Sequence, residues 1–434
     1  MQKSVQKIGL VTATSLVIGN MIGAGIFVLP AAMAPYGSIS ILGWVLSATG
    51  ALVLAKIFSN FSRMISSKSG GPYAYSSAGF GDFIGFLVAW GYWISTWISN
   101  GAIATAVVGA MSFFFPSLAH EPIQSISLGL GLIWFFTWIN ARGIKDSGKV
   151  QVITTVLKIL PLAFVVLFGV FFLDFANFPA FNLTEQSHLT TISMAATLTL
   201  YAFLGIECAT IPAENIENPE TTVPKATMLG TIITAFIYIL GTVVLFGIVP
   251  NQTLQQSPTP FADAAKLIGG EYAGYFVAAG AAIAGMGALN GWILITGQIP
   301  MAAAKDDLFP KIFKRENKNG TPVIGLMIGS TLSSGVMLMN YTEGLVDQFK
   351  FMVLLTTLSC LVPYLFTAAA YALVVIDHKL QAKNRLQTIV LSSLGFLYSL
   401  WAIYGSGQDT VFYGFLLLLL GVPFYVFMKW QKPN

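Results

Sequence analysis

The sequence predicts an all-α integral membrane protein, and three observations support this fold class. Hydrophobic residues make up 55% of the 434-residue chain and charged residues only 9%, whereas soluble domains carry about 25% charged residues. Apolar stretches near the length that a helix needs to cross hydrocarbon recur along the whole chain. These stretches lack the alternating pattern of the roughly ten-residue strands in membrane β-barrels. Lipid is therefore the predicted solvent for most of the surface.

We predict twelve transmembrane helices, which together form one transmembrane domain over residues 1–434. The third span is too long for one straight crossing, so it must tilt or extend past the membrane. The connections between spans are short, which argues against an attached soluble enzyme or receptor domain. The spans cover roughly residues 9–34, 39–65, 80–115, 123–141, 148–173, 190–213, 226–249, 272–303, 322–341, 348–376, 386–405 and 410–428.

Two of these spans contain sequences that break a helix. Gly19-Asn-Met-Ile-Gly-Ala-Gly25 interrupts the first span, and Phe203-Leu-Gly-Ile-Glu207 interrupts the sixth. Interruptions at corresponding positions of two halves are the best sequence indication of a binding site in a secondary transporter. The alternative is that the glycines only allow close packing between helices. Two interruptions in matching positions favour a binding site.

The two breaks offer complementary chemistry. Gly23 and Gly25 let the backbone leave one helix and begin another, and N–H groups at a helix N-terminus suit a carboxylate. Carbonyl groups around Asn20 and from Phe203 to Gly205 suit an ammonium group. A site that offers both kinds of group fits an α-amino acid.

Two ionisable residues, Lys158 and Glu207, lie deep within spans. Because a charge at the centre of a membrane helix costs a few kcal/mol, such residues indicate functional sites by default. Lys158 is either an ammonium that ties an unwound helix to its neighbour or a group that takes part in proton coupling. Glu207 has apolar neighbours in sequence, and we expect it to bind and release a proton as the site alternates.

Aromatic and polar side chains are available to line a site between the breaks. The third span carries polar groups at helical spacing, namely Tyr92, Ser95, Thr96, Ser99 and Asn100. Tyr201 precedes the second break, and Trp292 lies within the eighth span. A tryptophan face attracts ammonium or guanidinium groups by about 2 kcal/mol or more when desolvated. The alternative, a place in the interfacial aromatic belt, fits Trp134 and Trp138 better than Trp292.

The distribution of basic residues predicts the orientation. Of the 22 lysines and arginines, nineteen fall on the side of the N-terminus, Lys266 and Lys350 on the opposite side, and Lys158 inside a span. The positive-inside rule therefore places both termini in the cytoplasm. This distribution also accounts for the net charge of +4 without a nucleic-acid partner, which would need basic residues clustered on one soluble face.

The sequence indicates no metal, cofactor or disulfide scaffold. Cys208 and Cys360 both lie within spans, and the three histidines are scattered over span ends and loops. An intramembrane enzyme would need His, Asp or Ser clustered at catalytic spacing in the spans, and we find no such cluster. ATP-driven transport is not indicated either, because no Walker motif is present. A sensor that binds a nutrient without moving it stays open at this point.

The chain resembles the amino acid–polyamine–organocation superfamily, and within it the bacterial exchangers of arginine and agmatine or of ornithine and putrescine. The resemblance runs nearly end to end. It is carried by Gly19-Asn-Met-Ile-Gly-Ala-Gly-Ile26, Ser69-Gly-Gly-Pro-Tyr-Ala-Tyr75, Ala202-Phe-Leu-Gly-Ile-Glu207, Glu217-Asn-Pro-Glu-Thr-Thr-Val-Pro-Lys-Ala226, Asp307-Leu-Phe-Pro310 and Val362-Pro-Tyr-Leu365.

The resemblance implies a five-plus-five inverted repeat of the LeuT type. Its repeats would cover about 9–173 and 190–376, its first and sixth helices would be discontinuous, and two extra helices would cover about 386–428. It also implies a location in the bacterial inner membrane, a small amino acid or amine as substrate, and often a homodimer.

The resemblance further implies roles for single residues. The backbone from Ile22 through Ala24 to Gly25 would hold the substrate carboxylate, and the carbonyls near Asn20 and Leu204 its amino group. Trp292 would stack on the basic end of the substrate. A polar pocket would be formed by Ser95, Thr96 and Asn100, with Thr356 on the opposite wall. Closure toward one side of the membrane would involve Tyr92, Glu207 and Tyr364, with Glu207 as the proton-sensitive group.

The chain departs from the arginine exchanger at positions that bear on the substrate. Tyr201 stands where that exchanger has tryptophan, Ala24 where it has serine, and Thr96 where it has cysteine. Lys158 is absent there and resembles the fifth-helix lysine that replaces a sodium ion in other members of the superfamily. We expect an antiporter that exchanges a cationic amino acid for a related amino acid or a polyamine. The alternative is a proton-coupled symporter, which extends to neutral amino acids.

Overall fold

The computed structural model describes residues 9–23, 25–64, 71–142, 148–207, 216–339, 341–377 and 382–430. In these ranges the regular elements are helices. Their bounds are Leu10–Met21 (α1), Gly25–Met33 (α2), Ser40–Met64 (α3), Pro72–Phe80 (α4), Asp82–Ser112 (α5), Ser117–His120 (α6), Pro122–Arg142 (α7), Gly148–Gly169 (α8), His188–Leu200 (α9), Pro219–Ile248 (α10), Asn251–Gln256 (α11), Pro260–Lys305 (α12), Val323–Met339 (α13), Leu345–Asp377 (α14), Ala382–Gly405 (α15), Gln408–Leu419 (α16) and Gly421–Trp430 (α17).

The predicted all-α membrane architecture is confirmed. Within the described part of the chain, nine segments are helical, long and apolar enough to cross a membrane, and the bent pair α1–α2 would make a tenth. The helix α13 is apolar but has only 17 residues. The sixth predicted span continues from α9 toward residues 208–215, which lie outside the described ranges. The total of twelve crossings and the repeat boundaries therefore stay predictions.

Some elements differ from the predicted spans. The helix α12 begins at Pro260, ahead of the predicted start of the eighth span, because a helical segment from the preceding loop runs into it. The two parts are separated by Gly269 and Gly270, whose backbone is not helical; Gly270 has a φ of 78°. Such a conformation favours glycine, since it has no Cβ to clash. The short helices α4 and α11 are additional to the predicted spans.

The helix α5 lies at the centre of the molecule. In its apolar 18-residue window, 94% of the residues are buried, whereas the corresponding value for the α16–α17 segment is 17%. Helices α12 and α14 pack most extensively on α5, and α7 and α13 pack on it as well. The outermost helices instead expose apolar side chains, as expected where lipid replaces water as the solvent.

Helices α1, α3, α9 and α10 form a second group of mutually packed helices. The helix α10 packs on α1 and α3, and α3 also packs on α9. The helix α8 contacts both groups, because it packs on α12 on one side and on α1 and α10 on the other. The two broken segments therefore lie where the two groups meet.

Candidate functional site

The first break separates α1 from α2. The helix α1 ends at Met21, and the next residue, Ile22, has a ψ of 87° that takes the backbone out of the helix. The N–H of Gly23 turns back to the carbonyl of Met21 at 3.0 Å. The helix α2 begins at Gly25, and its axis is bent by 45° from that of α1. Ala24, a predicted site residue, lies outside the described residues.

The second break follows α9. The α-helix ends at Leu200 and continues as one 3₁₀ turn, Tyr201–Phe203, after which Leu204 is extended with a ψ of 135°. Gly205 then adopts a φ of 103°, a conformation that only glycine adopts at low cost. The sequence Phe-Leu-Gly-Ile-Glu thus ends the helix as predicted, and it presents backbone groups inside the membrane.

A cavity lies between the two breaks. It is lined by Asn20, Met21, Gly23, Gly25 and Ile26 of the first break, Tyr201, Ala202 and Leu204 of the second, Ser99 and Ile103 of α5, and Trp292 of α12. The structure therefore brings together six of the predicted binding residues, Asn20, Gly23, Gly25, Tyr201, Leu204 and Trp292. The space is small, with about 20 Å³ available to the centres of water molecules, which is room for roughly one water. An amino acid fits only if the lining side chains move apart.

Other predicted binding residues do not line this cavity. Ser95 and Thr96 are buried, and each hydroxyl donates to a carbonyl of its own helix, at 2.7 Å in both cases. The amide nitrogen of Asn100 donates to the hydroxyl of Thr296 on α12 at 3.0 Å. Ile22 is fully buried. These side chains stabilise the packing around the cavity in this conformation.

Two of the predicted polar groups keep unused hydrogen-bonding capacity. The side-chain oxygens of Asn100 and Thr356 are buried and have no hydrogen-bond partner among the described residues. Buried polar atoms of this kind are uncommon in folded proteins, because each one costs about 1–3 kcal/mol. Both atoms are available to a ligand or a water that reaches them when the site opens.

Ser99 was not among the predicted binding residues, although it stands on the polar face of the third span. Its hydroxyl lies 3.1 Å from the hydroxyl of Tyr201, so it connects α5 to the second break. The signal in the sequence was its helical spacing from Ser95. The apolar lining residues Met21, Ile26, Ile103 and Ala202 were also missed, since nothing in their sequence context separates them from residues that face other helices or lipid.

Tyr201 closes the cavity on the side where α14 begins. Its ring packs edge-on against Phe349, with ring centroids 6.0 Å apart and an angle of 89° between the planes. The ring also lies so close to Gly25 that a Cβ there would be 2.6 Å from Cε1 of Tyr201. Glycine at position 25 therefore serves two purposes, since it begins α2 and leaves space for this ring.

The predicted closure residues Tyr92, Glu207 and Tyr364 meet in one buried network. The hydroxyl of Tyr92 donates to Oε1 of Glu207, and the hydroxyl of Tyr364 donates to Oε2 at 2.8 Å. Tyr92 lies seven residues before Ser99 on α5, which corresponds to about 10 Å along the helix. The carboxyl group thus joins the second break to α5 and α14 below the cavity, on the side of the N-terminus of α5.

Lys158 contacts the first break directly. Its ammonium donates to the carbonyl of Gly19 at 2.9 Å, and its side chain is almost completely buried. The hydroxyl of Tyr238 on α10 donates to the carbonyl of Met21 at 2.7 Å. Two carbonyls of the broken segment are therefore already bound by side chains of neighbouring helices, which fixes the path of the backbone beside the cavity.

The broken segment also packs on α12. A Cβ at Gly23 would lie 3.4 Å from Cβ of Ala288, one turn before Trp292. Trp292 is 7% exposed, and its carbonyl accepts a hydrogen bond from Thr296 at 2.8 Å. In the described ranges, no three His, Cys, Asp or Glu side chains come together in a group that could hold a metal ion. The chemistry available at the cavity is therefore that of backbone groups, hydroxyls, an amide and aromatic rings.

Comparisons with known proteins identify the family of the chain. A family model described as amino acid permease matches residues 8–426. A putrescine transporter of Haemophilus influenzae is 32% identical, with 98% of each chain covered. An arginine/ornithine antiporter of Pseudomonas aeruginosa is 32% identical over 97% of this chain and 90% of its own. A cadaverine/lysine antiporter of Escherichia coli is 32% identical over 97% and 95%, respectively. This multi-pass membrane protein therefore belongs to the amino acid permease family.

Proposed function

We propose that this protein is a secondary active antiporter that exchanges a cationic amino acid for a related amino acid or a polyamine. The observation that carries the proposal is the cavity enclosed by two broken helices, with Trp292 on its wall. The names of the relatives support the class of substrate, since each refers to a basic amino acid or a diamine. We place the protein in the inner membrane of a bacterium with both termini in the cytoplasm, as the distribution of basic residues indicates, and we assign it no enzymatic activity.

Backbone groups of the two breaks would bind the part of the substrate that all amino acids share. The N–H groups at the start of α2, at Gly25, suit the carboxylate, because a helix N-terminus carries a partial positive charge. Carbonyls near Asn20 and Leu204 would accept hydrogen bonds from the α-ammonium group. A diamine lacks the carboxylate, so it would depend more strongly on the carbonyls and on aromatic rings.

Trp292 would distinguish a basic side chain from a neutral one. Its indole lies on the cavity wall and is buried, so a cation stacked on its face would be shielded from water. Cation–π attraction is strongest under these conditions. The free oxygens of Asn100 and Thr356 would add hydrogen bonds once the site has opened.

Transport would follow from movement of one group of helices against the other. Helices α1, α3, α9 and α10 would rock against α5, α7, α12 and α13, since each group is packed internally and the cavity lies between them. Opening toward the side of Tyr201 would separate its ring from Phe349. Opening toward the other side would separate Glu207 from Tyr92 and Tyr364.

Two observations favour a second candidate function, proton-coupled symport. Its substrates would include neutral amino acids. Lys158 binds the first break through Gly19, so a change in its protonation would act directly on the backbone beside the cavity. Glu207 shares its carboxyl group between α5 and α14, so a change in its protonation would alter the closure there. We propose that Lys158 is chiefly a brace and that Glu207 is the group that senses protons.

Exchange can be measured with labelled arginine and proteoliposomes that contain the purified protein. Vesicles would be empty or loaded with arginine, ornithine, lysine, agmatine, putrescine or cadaverine. We expect uptake only into vesicles loaded with one or more of these compounds, which would identify the exchange partner. Uptake into empty vesicles that grows with an inward proton gradient would replace antiport by symport. Absence of uptake under every condition would contradict a basic substrate.

The variant Trp292→Leu tests the stacking of the cationic group. We expect binding of the basic substrate to weaken by about 30-fold, which corresponds to the roughly 2 kcal/mol of a desolvated cation–π contact. Direct binding to detergent-solubilised protein would measure this effect. Trp134→Leu on the outer surface of α7 is the matched control and should bind normally. Equal affinity of the two variants would remove Trp292 from the site.

The variant Glu207→Gln tests proton sensing. The amide keeps the size of the side chain and accepts hydrogen bonds, but it does not titrate. We expect the transport rate of the parent to vary with pH and that of Glu207→Gln to vary much less. Glu271→Gln, which alters a surface carboxylate paired with Lys266, should keep the pH profile of the parent. A Glu207→Gln profile parallel to that of the parent would exclude Glu207 from coupling.

The variant Lys158→Ala tests the brace. Removing the ammonium leaves the buried carbonyl of Gly19 without its donor, at a cost of about 1–3 kcal/mol, and frees the broken segment to move. We expect at least a tenfold loss of transport together with a lower midpoint of thermal unfolding. Lys266→Ala on the surface serves as the control. Full transport activity in Lys158→Ala would show that the contact is dispensable.

A further inference from the structure

A contact between a cation and an aromatic ring lies near the start of α14, the helix whose Phe349 packs on Tyr201. The ammonium of Lys350 lies 5.0 Å from the ring centroid of Tyr36. Lys350 is on the first turns of α14, and Tyr36 ends the 3₁₀ turn Ala34–Tyr36 that follows α2. The contact therefore joins the second half of the first broken span to α14. We call Tyr36 and Lys350 the outer clasp.

The two partners differ in how firmly they are held. Tyr36 is 4% exposed, and its carbonyl accepts from the N–H of Leu183 at 3.3 Å. Two residues earlier, the carbonyl of Ala34 accepts a hydrogen bond from the side-chain amide of Asn251 at 3.1 Å. The ring is thus fixed in the loops of the outer face. The ammonium of Lys350 stands at the end of a flexible, only partly buried side chain, so it is the partner that can leave.

The position of the clasp connects it to the cavity. Phe349, the residue before Lys350, is completely buried and packs against Tyr201, which lines the cavity. The tip of the Phe349 ring would also lie 3.5 Å from a Cβ at Gly25. A movement of α14 away from α2 and the second break would separate Phe349 from Tyr201 and Lys350 from Tyr36 together.

We propose that the outer clasp holds the outer mouth closed and that a cationic substrate displaces the Lys350 ammonium from the ring of Tyr36 as it enters. The ammonium of Lys350 has the same chemistry as the amine of a basic amino acid or a diamine, so the protein carries a tethered competitor at its own mouth. A guanidinium or ammonium group arriving from outside would take the place of the Lys350 ammonium on the ring of Tyr36 before it reaches Trp292. The displacement of Lys350 by substrate rests on the proposed function. The closing role rests only on the orientation proposed there and on opening of the cavity beside Tyr201.

The size of the effect follows from the strength of such contacts. A partly exposed cation–π contact is worth a factor of about two to five in an equilibrium constant. If the open and closed conformations differ by only a few kcal/mol, a shift of that size changes the fraction of open molecules measurably. The clasp therefore adjusts the fraction of open molecules and does not decide it alone.

The closing role is tested without substrate, by labelling a cysteine placed at Ile103 on the cavity wall. A membrane-impermeant maleimide would be added to intact cells that carry Ile103→Cys, which serves as the parent for the variants below. The protein without Ile103→Cys measures the background from its own cysteines. We expect Lys350→Met and Tyr36→Leu to raise the labelling rate about two- to fivefold. Lys350→Arg and Tyr36→Phe keep a cation and a ring, and they should label at the rate of the parent. The double variant Tyr36→Leu with Lys350→Met should add little to either single change.

Equal labelling of Lys350→Met and the parent would overturn the closing role, and so would additive effects in the double variant. The displacement of Lys350 by substrate is tested separately. The measured quantity is the outside concentration of arginine or putrescine that gives half-maximal transport. Lys350→Met should lower this concentration about two- to fivefold, because the ring no longer has an internal competitor. Adding Tyr36→Leu should raise it again, since the ring is lost. Identical values in the two variants would overturn displacement, even where labelling supports the clasp.

Discussion

A helix that is broken inside a membrane leaves backbone groups that lipid cannot bind, and the arrangement of this protein depends on that constraint. At the first break, two carbonyls are satisfied by side chains from other helices, Lys158 on α8 and Tyr238 on α10. These contacts tie α8 and α10 to the broken end of α1, in addition to the packing between these helices. The backbone beside the cavity is consequently held by long-range hydrogen bonds that replace those of a continuous helix.

The second break has the same requirement and meets it with a carboxyl group of its own. Glu207 directly follows the unwound turn and accepts hydrogen bonds from tyrosines on α5 and α14. Burial of a carboxyl group is tolerated only where such partners are present. The helix α5 therefore contacts the second break at two levels, through Tyr92 to Glu207 and through Ser99 to Tyr201. This is consistent with its being the most buried helix of membrane-spanning length in the described part of the chain.

The closed cavity is enclosed by contacts of unequal strength. Beneath it, two tyrosines bind one carboxyl group in a dry environment, where hydrogen bonds to ionisable groups are strong. Above it, the ring of Tyr201 packs edge-on against Phe349, and its hydroxyl contacts that of Ser99. The ammonium of Lys350 lies over the ring of Tyr36. Each of these contacts is worth about 1 kcal/mol. The carboxyl group of the cavity enclosure therefore lies on the side of Glu207, and its cation–π contact lies on the side of Tyr201.

The sequence by itself determined the solvent of the protein, the approximate positions of its long apolar helices and the two places where a helix breaks. These features depend on composition, on apolar length and on glycine, all of which act locally along the chain. Only the tertiary structure decided that Lys158 binds Gly19, that Ser99 faces the cavity while Ser95 and Thr96 turn to their own helix, and that Lys350 lies over Tyr36. In an almost uniformly apolar chain, periodicity does not distinguish a helix face that meets another helix from one that meets lipid. Those pairings arise from the packing of helices that are distant in sequence.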